Sequence, residues 1–307
     1  MNDDSDIGFI ETKEHRRFGE FCDACERDRY IGLCYGPPGV GKTLSARRYT
    51  RWDKIQAYDS SRASAPLKEI CKSKAVFYTA PVINSPGKLD SEIGKRRSLL
   101  RSMAFAPVQR RAEARMKRLL RRADELRDPK RNPSGYRGAA ASKAEDDFLE
   151  QRKRVMQLSV PDPTTLVVVD EADRLKMASL EQVRDIFDRG GIGLVLIGMP
   201  GLEKRLARYP QLYSRVGFVH EFRTLDKEET RRLLLEHWRP QQFPLSADAL
   251  SDEEGIAAIL QATGGNFRLI HRLLTQIVRV LQINRLRTIT ARVVEAAREN
   301  LVIGAAA

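Results

Sequence analysis

Residues 36–43 read GPPGVGKT, the full G-x-x-x-x-G-K-T spacing of a phosphate-binding loop. An apolar run, Tyr30-Ile31-Gly32-Leu33-Cys34-Tyr35, precedes it and reads as a buried strand, and a helix of good formers, Leu44 to Trp52, follows. Strand, loop and helix in that order are the context such a loop needs. Gly36, Gly39 and Gly41 let the backbone wrap close, so that amide N–H groups and a helix N-terminus face phosphates. Lys42 supplies a point charge to the β- and γ-phosphates, and the Thr43 hydroxyl is an expected ligand of Mg²⁺. Pro37, Pro38, Val40 and Leu44 complete the expected ATP contacts.

Residues 166–173, LVVVDEAD, supply the other half of such a site. Leu166-Val167-Val168-Val169 is short, apolar and β-branched, as a central strand of a parallel sheet is. Asp170 stands at its carboxyl end, where open α/β sheets place ligands. From there it is expected to hold the Mg²⁺ shell, with Glu171 as general base for the attacking water.

Outward from these motifs the chain alternates strands and helices. Further strands are expected at Ala75–Ala80, Gly193–Gly198 and Gly217–Glu221, which gives five in all. The helical patterns between them predict a doubly wound parallel sheet. An amphipathic helix at Thr12–Arg29 precedes the first strand, with Phe18, Phe21, Cys22 and Cys25 at helical spacing. After Leu225 only helices are expected: Asp226–Trp238, Asp252–Ala262, Arg268–Leu281 and Thr290–Leu301. The expected division is an N-terminal helical segment, 1–29, a nucleotide-binding domain, 30–225, and a small helical lid, 226–307.

The 307 residues carry a formal charge of +13, so an anionic partner is expected. Lys95 to Val155 contains 19 Lys/Arg against 8 Asp/Glu, a net of 19 − 8 = +11. This stretch lies within 84–163, too long for a simple crossover, and reads as a helical insertion. Ala112, Met116, Leu119, Ala123 and Leu126 step by 4, 3, 4 and 3, one apolar stripe on a basic helix. Asp128–Ser142, rich in Pro and Gly, reads as a link, and Lys143–Leu158 as a second charged helix. The alternatives are a solvated charged pair and a surface for a phosphate backbone or a protein partner.

Four cysteines suit a reducing compartment better than a disulfide framework. Cys34 and Cys71 read as core thiols. Cys22-x-x-Cys25, with His15 upstream, lacks the further ligands of a zinc site and reads as helix packing. No apolar run of 18 residues and no signal peptide is evident, so a cytoplasmic, nucleoid-associated protein is expected.

Two arginine features complete the pattern. Gly264-Gly265-Asn266-Phe267-Arg268 opens a helix, from which Arg268 is placed to read a γ-phosphate. Arg215, in Leu212-Tyr213-Ser214-Arg215, lies just before the last strand, with Arg205 and Arg208 as competitors for a role in trans. In this order the motifs resemble the AAA+ ATPase superfamily. The resemblance covers about residues 10–300 and implies sensor 2 at Arg268 and an arginine finger at Arg215. The segment Phe9-Ile10-Glu11-Thr12-Lys13-Glu14-His15-Arg16-Arg17-Phe18 and the run from Leu196 through Arg215 are similar to the TniB, TnsC and Mu B transposition regulators. That resemblance implies ATP-dependent rings or filaments on duplex DNA and recruitment of a DDE transposase. Little base readout is expected, because nothing resembles a sequence-reading helix-turn-helix. A helicase loader, or a remodelling ATPase without a DNA role, are the competing functions. The sequence departs from the superfamily at sensor 1, where Met199 follows Gly198 in place of a polar residue. Thr165 is a candidate substitute for positioning the water.

Overall fold

The computed structural model describes residues 9–61, 68–127, 137–157, 159–237 and 253–299. At its centre are β1 (Ile31–Tyr35), β2 (Ala75–Thr79), β3 (Leu166–Asp170), β4 (Gly193–Gly198) and β5 (Val216–Glu221), in the order β2-β3-β4-β1-β5. Every pairing is parallel, so the five expected strands share one carboxyl rim. β3 and β4 are buried throughout, whereas edge strand β5 alternates half-buried and exposed residues. The phosphate loop leaves β1, and Asp170 ends β3, with only β4 between them. The two nucleotide motifs therefore meet at the rim, at a point where the chain order of the strands reverses.

Helix α1 (Lys13–Asp28) is capped by Thr12, whose hydroxyl accepts the His15 N–H at 3.1 Å. It lays Phe18, Phe21, Cys22 and Cys25 against the sheet, all of them buried. Cys22 and Cys25 are core side chains, and burial pushes the Cys25 thiol up to about 12. The helix expected as far as Trp52 divides at Arg51, which adopts a left-handed conformation (φ 56°). The pieces are α2 (Lys42–Thr50) and α3 (Trp52–Ser61), followed by the short α4 (Lys68–Cys71). Cys34 is a core thiol as expected, but Cys71 is only half-buried, because α4 ends at it.

The basic stretch is built differently from the expected insertion. A single helix, α5, runs from Pro86 to Arg127, 42 residues, with Pro107 inside it. Its first half belongs to the main core: Leu89, Ile93, Leu100 and Met103 are buried beside β2 and α7 (Met177–Asp188). Only its second half stands away, paired with α6 (Arg137–Gln157). Ala112 is buried and Met116 and Leu119 are half-buried where the pair packs, as the apolar stripe required. Residues 137–142, expected in the link, are helical.

Between β4 and β5 lie α8 (Leu202–Leu206) and α9 (Pro210–Tyr213). Beyond β5 come α10 (Lys227–Arg232), a π-helical turn (Leu233–His237), α11 (Glu253–Thr263), α12 (Phe267–Asn284) and α13 (Ala291–Glu299). These form a second core around Ile259, Leu273, Ile277 and Leu281. The expected helix ends at Leu158, Trp238, Asp252 and Leu301, and residues 128–136 of the link, lie outside the described residues. Among the described residues no helix is long and apolar enough to cross a membrane.

Candidate nucleotide-binding site

The loop 36–43 turns straight into α2, with Gly41 as its N-cap residue at φ 106°. The Lys42 ammonium folds back over the loop and donates to the carbonyls of Gly36 (2.6 Å) and Pro37 (2.7 Å). The side chain is almost wholly buried, and burial lowers its pKa while the charges of Asp170 and Glu171 act in the opposite sense. An ammonium held only by loop carbonyls, in a buried cradle of amides, is matched to an anionic phosphate.

Thr43 and Asp170, 127 residues apart in sequence, are in direct contact: the hydroxyl donates to Asp170 Oδ2 at 2.8 Å. Asp170 is 3% exposed, and burial pushes its carboxyl pKa up against the opposing pull of that hydroxyl. Two neighbouring oxygen ligands, one a buried carboxylate short of positive partners, fit a hard divalent cation such as Mg²⁺.

Glu171 follows in a left-handed conformation (φ 55°, ψ 40°), a strained backbone for a non-glycine residue and one that clusters at functional sites. Its carboxylate lies 3.5 Å from the Arg174 guanidinium, which also donates to the Ala80 carbonyl at 3.2 Å. At the sensor 1 place, the Asp173 carboxylate occupies the space over Gly198, where a Cβ would collide with it. Asp173 Oδ1 also accepts the Met199 N–H at 3.0 Å. A polar side chain, that of Asp173, thus stands beside Met199 at this place. Thr165 does not serve: it precedes β3, at the opposite end of the sheet from the rim, and donates to Glu26 at 2.6 Å.

The C-terminal helices close over the loop. Asn266 caps α12 and reaches across to donate to the Pro38 carbonyl at 2.8 Å. The Arg268 N–H donates to the Gly39 carbonyl at 3.0 Å, so the main chain of this residue lies against the phosphate loop.

The three arginines weighed for a role in trans part ways. The Arg215 carbonyl accepts the Ile31 N–H (3.0 Å) at the start of β1, one strand length, roughly 16 Å, from the loop. Arg215 therefore does not reach the site of its own chain, and it pairs instead with Asp188. Arg205 is bonded to the carbonyls of Asp173 and Leu175, which secures the turn after β3. Arg208 is exposed. Sequence reasoning assigned no role to Asp173, Arg174 or Asp188, of which only Asp173, inside the D-E-A-D run, carried a local signal. Asn266 read as a helix N-cap and is one, and its reach to Pro38 is what the sequence did not announce.

The sequence profile of the AAA domain family matches residues 25–206. The chain belongs to that family. Along nearly its whole length this AAA protein is also similar to a "Potential ATP-binding protein" of Staphylococcus aureus. The two are 41% identical over 301 residues, covering 96% of this chain and 97% of the relative. A shorter stretch of 114 residues is 30% identical to "Mu-like prophage FluMu DNA transposition protein B" of Haemophilus influenzae, 34% of this chain and 36% of that protein. The AAA+ resemblance on the Mu B side drawn from the motifs agrees with both. Among solved structures, the Thermotoga maritima RuvB Holliday junction branch migration motor aligns at a TM-score of 0.49 and 15% identity, over 96% of this chain and 71% of that one.

Proposed function

We propose that this AAA protein hydrolyses ATP between neighbouring copies of itself, assembles on duplex DNA, and in the assembled state recruits and activates a DDE transposase. Residues 30–225 act as the nucleotide-binding domain and 226–307 as its lid. Lys42 and the loop amides hold the phosphates, and Thr43 and Asp170 hold Mg²⁺, which when bound supplies charge neutralisation at the β- and γ-phosphates. Glu171 accepts the proton of the water attacking the γ-phosphate, Asp173 orients that water, and Arg268 senses the phosphate from the lid. Arg215 enters the site of the adjacent copy.

The observation that carries the hydrolytic part is the contact between Thr43 and Asp170 beside Lys42. The DNA part rests on the α5–α6 pair, where Arg110, Arg111, Arg118, Arg121 and Arg122 are all exposed, and on the likeness to a DNA transposition protein. Contacts of this kind are summed over many copies along a backbone and need no base readout.

Electron microscopy with a slowly hydrolysed ATP analogue, with and without linear duplex DNA, tests the proposal. Filaments or stacked rings that need both ATP and DNA support it, and a transposase pull-down then follows. Rings indifferent to DNA turn the reading to a helicase loader or a remodelling ATPase, with the basic pair gripping protein.

A further inference from the structure

Arg215 is held within its own chain through all three guanidinium nitrogens. Its Nε donates to Asp188 Oδ1 at 2.6 Å and its NH2 nitrogen to Asp188 Oδ2 at 3.0 Å, a two-pronged pair. Its third nitrogen, NH1, donates to the Gln211 carbonyl. All three nitrogens of the guanidinium are thus bonded within the chain, with one N–H each remaining on NH1 and NH2. The backbone at this point is fixed at both ends: the Arg215 N–H donates to Leu212 and its carbonyl accepts from Ile31. Freeing the guanidinium therefore requires the side chain alone to move.

The position of the acid is informative. Asp188 is the last residue of α7, where exposed carbonyls make a negative charge unfavourable. What holds an aspartate there is arginine: Asp188 Oδ2 also accepts from Arg184 NH1 at 2.6 Å. When Arg215 leaves, Asp188 keeps Arg184, so release strands no charge. Both members of the pair are about a third exposed, at 32% and 30%, which keeps the hold weak. A triphosphate on an adjacent copy offers more negative charge than one carboxylate, and outcompetes it.

We infer that Asp188 is a self-restraint on Arg215, holding it within its own subunit until a nucleotide-loaded neighbour draws it across. This rests on Arg215 being the residue that acts in trans. It makes hydrolysis contingent on assembly: an isolated copy carries an arginine that is occupied as well as out of reach.

The test is the ATPase rate of the full chain against protein concentration, with duplex DNA and saturating ATP and Mg²⁺. Removing the restraint in Asp188→Asn is expected to raise the rate at sub-saturating protein by about two- to fivefold, with the KM for ATP unchanged. Arg184→Ala leaves Asp188 with Arg215 as its one arginine and is expected to shift the rate the other way. A slower Asp188→Asn of unaltered melting temperature overturns the inference and makes Asp188 a support for the working arginine. Should Asp188→Asn fold poorly, Arg184→Ala decides: a rate equal to or above wild type overturns the restraint. An Arg215→Ala protein as active as wild type removes instead the trans reading on which the restraint rests, whatever Asp188 does.

Discussion

Arg268 and Gly39 are joined main chain to main chain: the Arg268 N–H donates to the Gly39 carbonyl at 3.0 Å. The helical C-terminal unit thus rests on the phosphate loop itself. Gly39 has φ +83°, and a Cβ added there would lie 2.7 Å from Arg268 Cβ and 2.8 Å from the Asn266 amide oxygen. Both the loop's conformation and the seating of the lid depend on the missing side chain.

Gly39→Ala is therefore expected to weaken nucleotide binding at least tenfold, on the order of 1.4 kcal/mol, while leaving the sheet folded. Titration with a fluorescent ATP analogue reads the effect. Wild-type affinity in this variant would remove the lid from the binding site.

Asp170 gives a prediction in which stability and function oppose each other. Burial raises its carboxyl pKa in the fold, so its contribution is favourable below the ordinary carboxylate value of about 3.9. That contribution is lost as pH climbs through the raised value, and the ionised group burdens the nucleotide-free protein at neutral pH. Asp170→Asn should raise the melting temperature of metal-free protein at pH 7.5 by about 1–3 °C, with the gain fading toward pH 4. Mg²⁺ and ATP should then stabilise the wild type and not the variant. A lower melting temperature for the variant at pH 7.5 contradicts this account.

The placement of Arg215 at the far end of the sheet leads to a mixing experiment. Lys42→Ala retains the trans arginine but no working site, and Arg215→Ala has the converse defect. Each alone is expected to be nearly inactive, and an equimolar mixture should recover a measurable fraction of wild-type ATPase activity. No recovery at any ratio would mean that Arg215 does not act across subunits.

Glu171→Gln should keep ATP binding and lose turnover by about a hundredfold or more, because the proton acceptor is gone. Assemblies on DNA, followed by light scattering after ATP addition, should then persist where wild type disassembles. Disassembly at the wild-type rate would exclude Glu171 as the base.

For the basic helices, neutralising Arg118, Arg121 and Arg122 together should lower the slope of log affinity against log salt by about 2–3, near 0.9 for each phosphate no longer neutralised. The three side chains are exposed on α5. An unchanged slope would assign the pair to a protein partner or to solvent.

The five strands were legible because each is a short apolar run closed by a polar or turn residue, and the parallel order follows from the helices between them. That Lys42, Thr43 and Asp170 come together was legible because the two motifs leave parallel strands of one sheet at the same rim. Thr165 misled, although strand direction held the answer: a residue ahead of β3 lies at the amino end, away from any ligand at the carboxyl rim. The extent of α5 was obscured by Pro86, Gly87 and Pro107, residues that ordinarily interrupt helices, and the buried Leu89, Ile93, Leu100 and Met103 override them. Pairings such as Arg215 with Asp188 and Asn266 with Pro38 join residues 27 and 228 positions apart, and no local pattern announces them.

The 42 residues of α5 span about 63 Å. One end is wedged beside β2 and α7, close to the Ala80–Arg174–Glu171 contacts, and the other carries the arginines. Such a rod is fixed at one end in the main core and stands clear of it at the other. Beyond Met103 the rod runs on for about 36 Å, so a tilt of about 5° at the core would sweep the far tip through about 3 Å. Pro107, which leaves the Met103 carbonyl without its helical donor, removes one rung of the helical ladder near the point where the rod leaves the core, yet the helix runs on through it. Any tilt of the core end is therefore carried outward to the tip, as a change in where the arginines stand.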